Sequence, residues 1–148
     1  MTLRYKGKIL SKDEIDLIVK LSAQRQTTQS SYDKVKGATM LRGLSALPEL
    51  QQGWARIKKH IDSPVKLLTS YALEYTEGNH SIPHWDVAAF TAITMLPCSF
   101  EGGDLLVDEE YVDLEEGETV IFDTDTYHEV QPIESGKRLV LVTWYDNK

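Results

Sequence analysis

Of the four histidines in the chain, His84 stands two residues before Asp86, in the segment Asn79-His80-Ser81-Ile82-Pro83-His84-Trp85-Asp86. Imidazole nitrogens and a carboxylate are metal-ligand types, yet a lone His-x-Asp pair is as readily a surface turn. Position sharpens the reading. The pair follows a strand-like run ending Glu74-Tyr75-Thr76-Glu77-Gly78, where a chain leaving a sheet would form a rim, and sites are built on rims. A third ligand is offered by His128, at the start of a late strand in Tyr127-His128-Glu129-Val130. Two histidines and one carboxylate on one face of an octahedron leave three positions open. That suits a redox iron that must hold a cosubstrate and oxygen together. Zinc would favour a tetrahedral site.

Ten residues beyond His128, Arg138 opens the run Arg138-Leu139-Val140-Leu141-Val142-Thr143-Trp144-Tyr145. Strand alternation puts Arg138, Val140, Val142 and Trp144 on one face. If that face is interior, a guanidinium lies among apolar neighbours and needs a partner, and a carboxylate fits its planar fork best. An isolated strand-start arginine would more simply reach solvent.

These residues must be held by the elements around them. Ser11 and Glu14 form a capping-box signature ahead of Ile15, Ile18, Val19 and Leu21, which predicts a helix from Ser11 to about Arg25. A second helix opens with Pro48 and ends before Pro64, with Leu50, Trp54, Ile57 and Ile61 on one stripe. The polar, glycine-punctuated segment between them, about 26–46, reads as a loop or a short strand pair near the substrate entrance. From Val65 onward the runs KLLTSYALEY, AAFTAITMLP, GDLLV, EYVDL, ETVIF, HEVQPI and RLVLVTWY are short and β-rich. No stretch there has room for crossover helices, so the sheet should be antiparallel. The expected fold is mainly β: a double-stranded β-helix, that is a jelly-roll or cupin-like barrel, over 65–148. Two helices of a helical N-terminal part, 1–64, pack on one sheet of it. The whole of 1–148 reads as one domain.

Composition narrows the partners. A net charge of −7 disfavours nucleic acid, although Lys34, Lys36, Arg42, Arg56, Lys58 and Lys59 make the N-terminal half locally basic. No apolar run is long enough to span a bilayer. The single cysteine, Cys98, cannot form an internal disulfide and is expected to be inert, and the opening MTLRYKGKIL lacks a signal-peptide core, so a cytoplasmic location is expected. Nothing in the sequence sets the oligomeric state.

The segment from about Tyr71 to Tyr145 resembles the prolyl 4-hydroxylase-like branch of the 2-oxoglutarate and Fe(II)-dependent oxygenases. The resemblance rests on several pieces: Tyr75, His84-Trp85-Asp86, Phe100-Glu101-Gly102-Gly103-Asp104-Leu105, and His128-Glu129-Val130-Gln131-Pro132 leading to Arg138 and Trp144. It implies that His84, Asp86 and His128 bind Fe(II), that Arg138 binds the distal carboxylate of 2-oxoglutarate, and that Tyr75 assists. O2 is the second cosubstrate, and ascorbate an optional addition. The implied reaction hydroxylates a C–H bond as 2-oxoglutarate is decarboxylated to succinate. A prolyl residue of a peptide or protein is the first expectation, and a free amino acid or other small molecule the alternative. The chain departs from the branch at Met95, where a second tyrosine is often found; Tyr75 and Thr94 are the hydroxyls that could compensate.

Other residues have plainer readings. His80 reads as a loop residue, His60 lies off the helix stripe, and Gly102 and Gly103 most simply make a turn. Trp54, Trp85 and Trp144 read as core or rim packing, with Trp85 pointing away from its two flanking ligands. The rivals are a cupin-type metal dioxygenase that does not use 2-oxoglutarate and a silent barrel that only binds a partner. Metal-dependent turnover of 2-oxoglutarate to succinate separates the three.

Overall fold

A computed structural model describes residues 3–24, 28–29 and 34–148. The N-terminal part carries β1 (Leu3–Lys8), α1 (Lys12–Gln24), β2 (Thr28–Gln29), β3 (Val35–Lys36), β4 (Thr39–Leu41) and α2 (Gln51–Lys59). Then follow β5 (Val65–Tyr75), β6 (His80–His84), β7 (Phe90–Met95), β8 (Ser99–Gly102) and β9 (Leu105–Val107). The chain closes with β10 (Glu110–Val112), β11 (Glu118–Asp123), β12 (His128–Val130) and β13 (Ile133–Asn147). The larger sheet runs β1-β11-β7-β13-β5-β4-β2, with β8 paired to the early part of β13; the smaller runs β10-β9-β12-β6-β3. The paired strands are antiparallel, as the lack of crossover helices requires.

Alternation along the central strands divides their side chains between two cores. On one face, Tyr71, Leu73, Tyr75, Ile93, Met95, Val120, Phe122, Val140 and Val142 cluster with Leu105, Val107 and Val130 of the smaller sheet and with Ile133 at the start of β13, which fills the barrel. On the other, Ala72, Ala92, Ile121, Leu141 and Tyr145 meet Ile18, Leu50, Trp54 and Ile57 of the helical layer. Burial on both faces is why β7 is buried at every position and its sequence does not alternate.

Both helices form where expected. In the capping box the Ser11 amide donates to Glu14 Oε1 at 2.7 Å and the Glu14 amide to Ser11 Oγ at 3.2 Å. Arg56 of α2 also pairs with Glu14 and donates through Nε to the Ile9 carbonyl at 3.1 Å, so the cap ties the helices together. Arg25, the expected end of α1, lies outside the described residues. The N-terminal part is not purely helical: β1 pairs with β11 at the sheet edge, and β3 and β4 join different sheets. The alternation of β1 is half exposed and mixes lysines with Leu3 and Tyr5, which hid it from pattern reading.

The helical layer is locked to the barrel at Tyr145, fully buried, whose hydroxyl donates to the Trp54 carbonyl at 2.6 Å. Tyr145→Phe removes this bond and keeps the ring. It is expected to cost about 1 kcal/mol, a fall in Tm of about 2–4 °C by calorimetry, with metal affinity unchanged.

Candidate active site

His84 ends β6 and His128 begins β12, and the two are direct cross-strand partners. Between them and the next pair, Ser81 with Val130, the ladder is irregular. Pro83 explains it, because proline has no N–H for the ladder. The Val130 amide donates instead to Ser81 Oγ at 2.8 Å. Such a bulge re-aims the strand end. Here it leaves the imidazole rings with centroids 4.3 Å apart.

Asp86 reaches the same place from beyond the strand. Its amide donates to the Thr124 carbonyl at 3.0 Å, and Thr124 returns bonds to the Ala88 and Ala89 carbonyls, so the turn after the motif is clasped from the β11 side. The Asp86 carboxylate lies 3.4 Å from His84 Nε2 and 3.2 Å from His128 Nε2. One ligand atom from each of the three buried residues falls within 4.8 Å of the others. Each imidazole is oriented by its own chain: His84 Nδ1 sits 2.5 Å from the Ile82 carbonyl and His128 Nδ1 2.9 Å from the Thr126 carbonyl. A proton on Nδ1 donates to the carbonyl and leaves Nε2 bare toward the cluster, the tautomer a metal ligand needs. The donor set fits a ferrous ion: two neutral nitrogens and one carboxylate, held from one side.

Arg138 faces the barrel interior, directly opposite Tyr75 in the β5–β13 register. It is 1% exposed, and its Nε and one terminal nitrogen, Nη2, have no hydrogen-bond partner among the described residues. The Tyr75 ring lies 5.1 Å from the guanidinium carbon and the Phe100 ring 6.0 Å. Burial lowers the pKa of Arg138, and it raises that of the equally buried Tyr75, whose phenol therefore stays a hydrogen-bond donor. A buried cation with idle donors is costly unless an anion completes it. The idle guanidinium donors thus fit a carboxylate such as the distal end of 2-oxoglutarate.

The departure at Met95 is real in space: its side chain faces the interior and the residue pairs with Val140 on β13. Thr94 cannot compensate for the missing tyrosine. It lies on the opposite strand face, hydrogen-bonded to Thr119 at 2.6 Å. Gly102 and Gly103 are more than a turn. Both have positive φ, and a Cβ on Gly103 would sit 2.3 Å from Ile133 Cδ1 and 3.3 Å from Arg138 Cδ. The backbone there closes over the arginine stem, which a Gly-Gly pair does not reveal by itself.

His80 begins β6 instead of lying in a loop, and its Nδ1 is 3.2 Å from the Gly78 carbonyl. His60 stacks on Tyr5 at 3.9 Å. Neither joins the cluster. Trp85 points outward, 53% exposed, edge-on to Tyr127 at 4.8 Å. Cys98 is half-buried, and burial pushes its thiol pKa up, which suppresses the reactive thiolate. Among the described residues no helix is long and apolar enough to cross a membrane.

Residues 55–146 match the 2OG-Fe(II) oxygenase superfamily, and the chain belongs to that family. Its cofactor and cosubstrate are accordingly Fe(II) and 2-oxoglutarate. A PKHD-type hydroxylase of Maricaulis maris is 31% identical over 83 residues, covering 47% of this chain and 38% of that protein. The chain spans between 20% and 38% of the length of the PKHD-type hydroxylases it matches. A prolyl-4-hydroxylase of Pseudomonas putida superposes with a TM-score of 0.76 at 16% identity, over 97% of this chain and 92% of the other. SnoN, an alpha ketoglutarate dependent epimerase from nogalamycin biosynthesis, does so with a TM-score of 0.77 at 14% identity, over 96% and 77%. At such identities the likeness establishes the fold, the double-stranded β-helix.

Proposed function

We propose that the chain is a 2-oxoglutarate- and Fe(II)-dependent dioxygenase that hydroxylates a prolyl residue of a peptide or protein. In this reading His84, Asp86 and His128 hold the iron, and Arg138 with Tyr75 holds the distal carboxylate of 2-oxoglutarate. The observation that carries the reading is the buried Arg138, with idle donors in the same barrel interior as the His-Asp-His cluster.

An Fe(II) held by His84, Asp86 and His128 would supply O2 activation, one oxygen atom going to succinate as 2-oxoglutarate is decarboxylated and the other to the substrate C–H bond. The chain's own contribution is positioning. His84, Asp86 and His128 would hold the ion and leave positions on it for cosubstrate and O2. Arg138 and the neutral Tyr75 phenol fix one end of the cosubstrate, so its keto acid end has one reach toward the cluster. Phe122, 4.8 Å from the His128 ring, and the apolar interior keep bulk water from the reacting centre.

A peptide substrate is favoured by the outside of the cluster. Only residues 87–89 join the motif to β7, too few for a covering lid. Val87, Trp85 and Tyr127 are 84%, 53% and 51% exposed there, an apolar rim of the kind that extended chains rest on. Such surfaces choose the C–H bond while the fold supplies the oxidant.

The test is an incubation with Fe(II), 2-oxoglutarate and O2 over proline-containing peptides, free proline and other small molecules, with succinate and hydroxylated product read by mass spectrometry. A hydroxylated prolyl peptide formed in step with succinate is expected. Product from free small molecules alone would remove the peptide assignment and keep the oxygenase. No succinate under any condition would remove both.

A further inference from the structure

Both imidazoles of the cluster are oriented by backbone carbonyls, but a carboxylate also turns about its own terminal bond, and the backbone hydrogen bond of Asp86 does not stop that. Thr91 does. Its hydroxyl donates to Asp86 Oδ2 at 3.0 Å, across five residues of chain. Thr91 is 1% exposed, the second residue of β7 and on its interior face with Ile93 and Met95. In register it sits between Phe122 of β11 and Trp144 of β13. Flanked by two large aromatics, the threonine has little room, and as a β-branched residue it has few rotamers to lose.

We propose that Thr91 is a positioning residue for the metal centre, fixing the rotation of the Asp86 carboxylate, whose Oδ1 lies 3.4 Å from His84 Nε2 and whose Oδ2 lies 3.2 Å from His128 Nε2. This rests on the reading of His84, Asp86 and His128 as the ligands. The hydroxyl competes for Oδ2 and so disfavours chelation through both oxygens, which would take one of the positions the cosubstrate and O2 require. Thr91 touches neither of those. It acts through Asp86, as outer hydrogen-bond partners of metal ligands do.

The role separates from simple packing, because Thr91→Val keeps the branched shape and loses only the hydroxyl. The experiment is an anaerobic Co(II) titration of the metal-free full chain, followed by the visible d–d absorbance, for wild type, Thr91→Val, Thr91→Ser and Asp86→Ala. Thr91→Val is expected to weaken Co(II) binding by about ten- to a hundredfold and to change the shape of the band. Thr91→Ser, which keeps the hydroxyl, is expected to bind nearly as wild type does. Co(II) affinity and band unchanged in Thr91→Val, with Asp86→Ala impaired, would overturn the role of Thr91 alone. Equal weakening in Thr91→Val and Thr91→Ser would overturn it too, since the methyl and not the hydroxyl would then matter. Undiminished binding in Asp86→Ala would overturn the ligand set beneath it.

Discussion

Arg138→Ala is expected to weaken 2-oxoglutarate binding by a few hundred-fold or more while Fe(II) stays bound. In the reading above, the distal carboxylate enters a poorly hydrated pocket and forms two parallel hydrogen bonds with the guanidinium. Taking away one member of such a buried pair costs about 3–5 kcal/mol, which is the stated loss in affinity. Arg138→Lys is expected to recover part of it, because an ammonium keeps the charge and lacks the planar fork. The metal-to-ligand charge-transfer absorbance of the anaerobic Fe(II) protein, titrated with 2-oxoglutarate, measures all three chains. Thermal shift adds a second readout. Without cosubstrate, wild type carries a buried guanidinium with idle donors, so 2-oxoglutarate should raise its Tm by mass action and leave that of Arg138→Ala almost unmoved. Equal affinity in wild type and Arg138→Ala would place the distal carboxylate elsewhere in the barrel.

The second large effect belongs to the cluster itself. His84→Ala, Asp86→Ala and His128→Ala are each expected to abolish succinate formation and to lower iron occupancy after dialysis. Outer partners of ligands are worth about ten- to a hundredfold in metal affinity, so loss of a ligand should exceed that range. Mn(II) or Co(II) should fill the wild-type site and give no product, since oxygen activation needs iron's higher oxidation states. Asp86→Asn sharpens the comparison. It keeps the shape and the Thr91 contact while removing the negative charge, and its occupancy should fall with the alanine variants. Metal analysis by mass spectrometry, alongside succinate assay, checks each. A variant with full occupancy and turnover would remove its residue from the ligand set.

How much of this was legible beforehand differs by residue. Ser11 and Glu14 announced α1, and the stripe through Trp54 announced α2, because capping and helical periodicity are local and need no partner to be read. The β-rich runs after Val65 gave the antiparallel barrel for a related reason: no segment between them could cross over. The chemistry of His84, Asp86, His128 and Arg138 was visible as residue types at telling intervals. Alternation within β13 also put Arg138 on one face with Val140, Val142 and Trp144.

What the intervals could not express is pairing across strands. That His84 faces His128 depends on the β6–β12 register and on a bulge that Pro83 forces, and register is a property of two segments at once. Thr91 and Thr94 are three residues apart in one strand, so they stand on opposite faces, yet which face looks into the barrel was set by the sheets on either side. Thr91 therefore reaches Asp86, and Thr94, a hydroxyl three residues away, reaches Thr119 instead of the interior. The same holds for Gly103, whose lack of a side chain acquires its reason only when Ile133 and Arg138 are brought against it. The sequence by itself determined the two helices, the β-runs after Val65 and the ligand types, since those follow from short-range pattern and side-chain chemistry. Tertiary structure alone decided which side chains share an interior, because a one-residue slip of any strand would have exchanged the two faces.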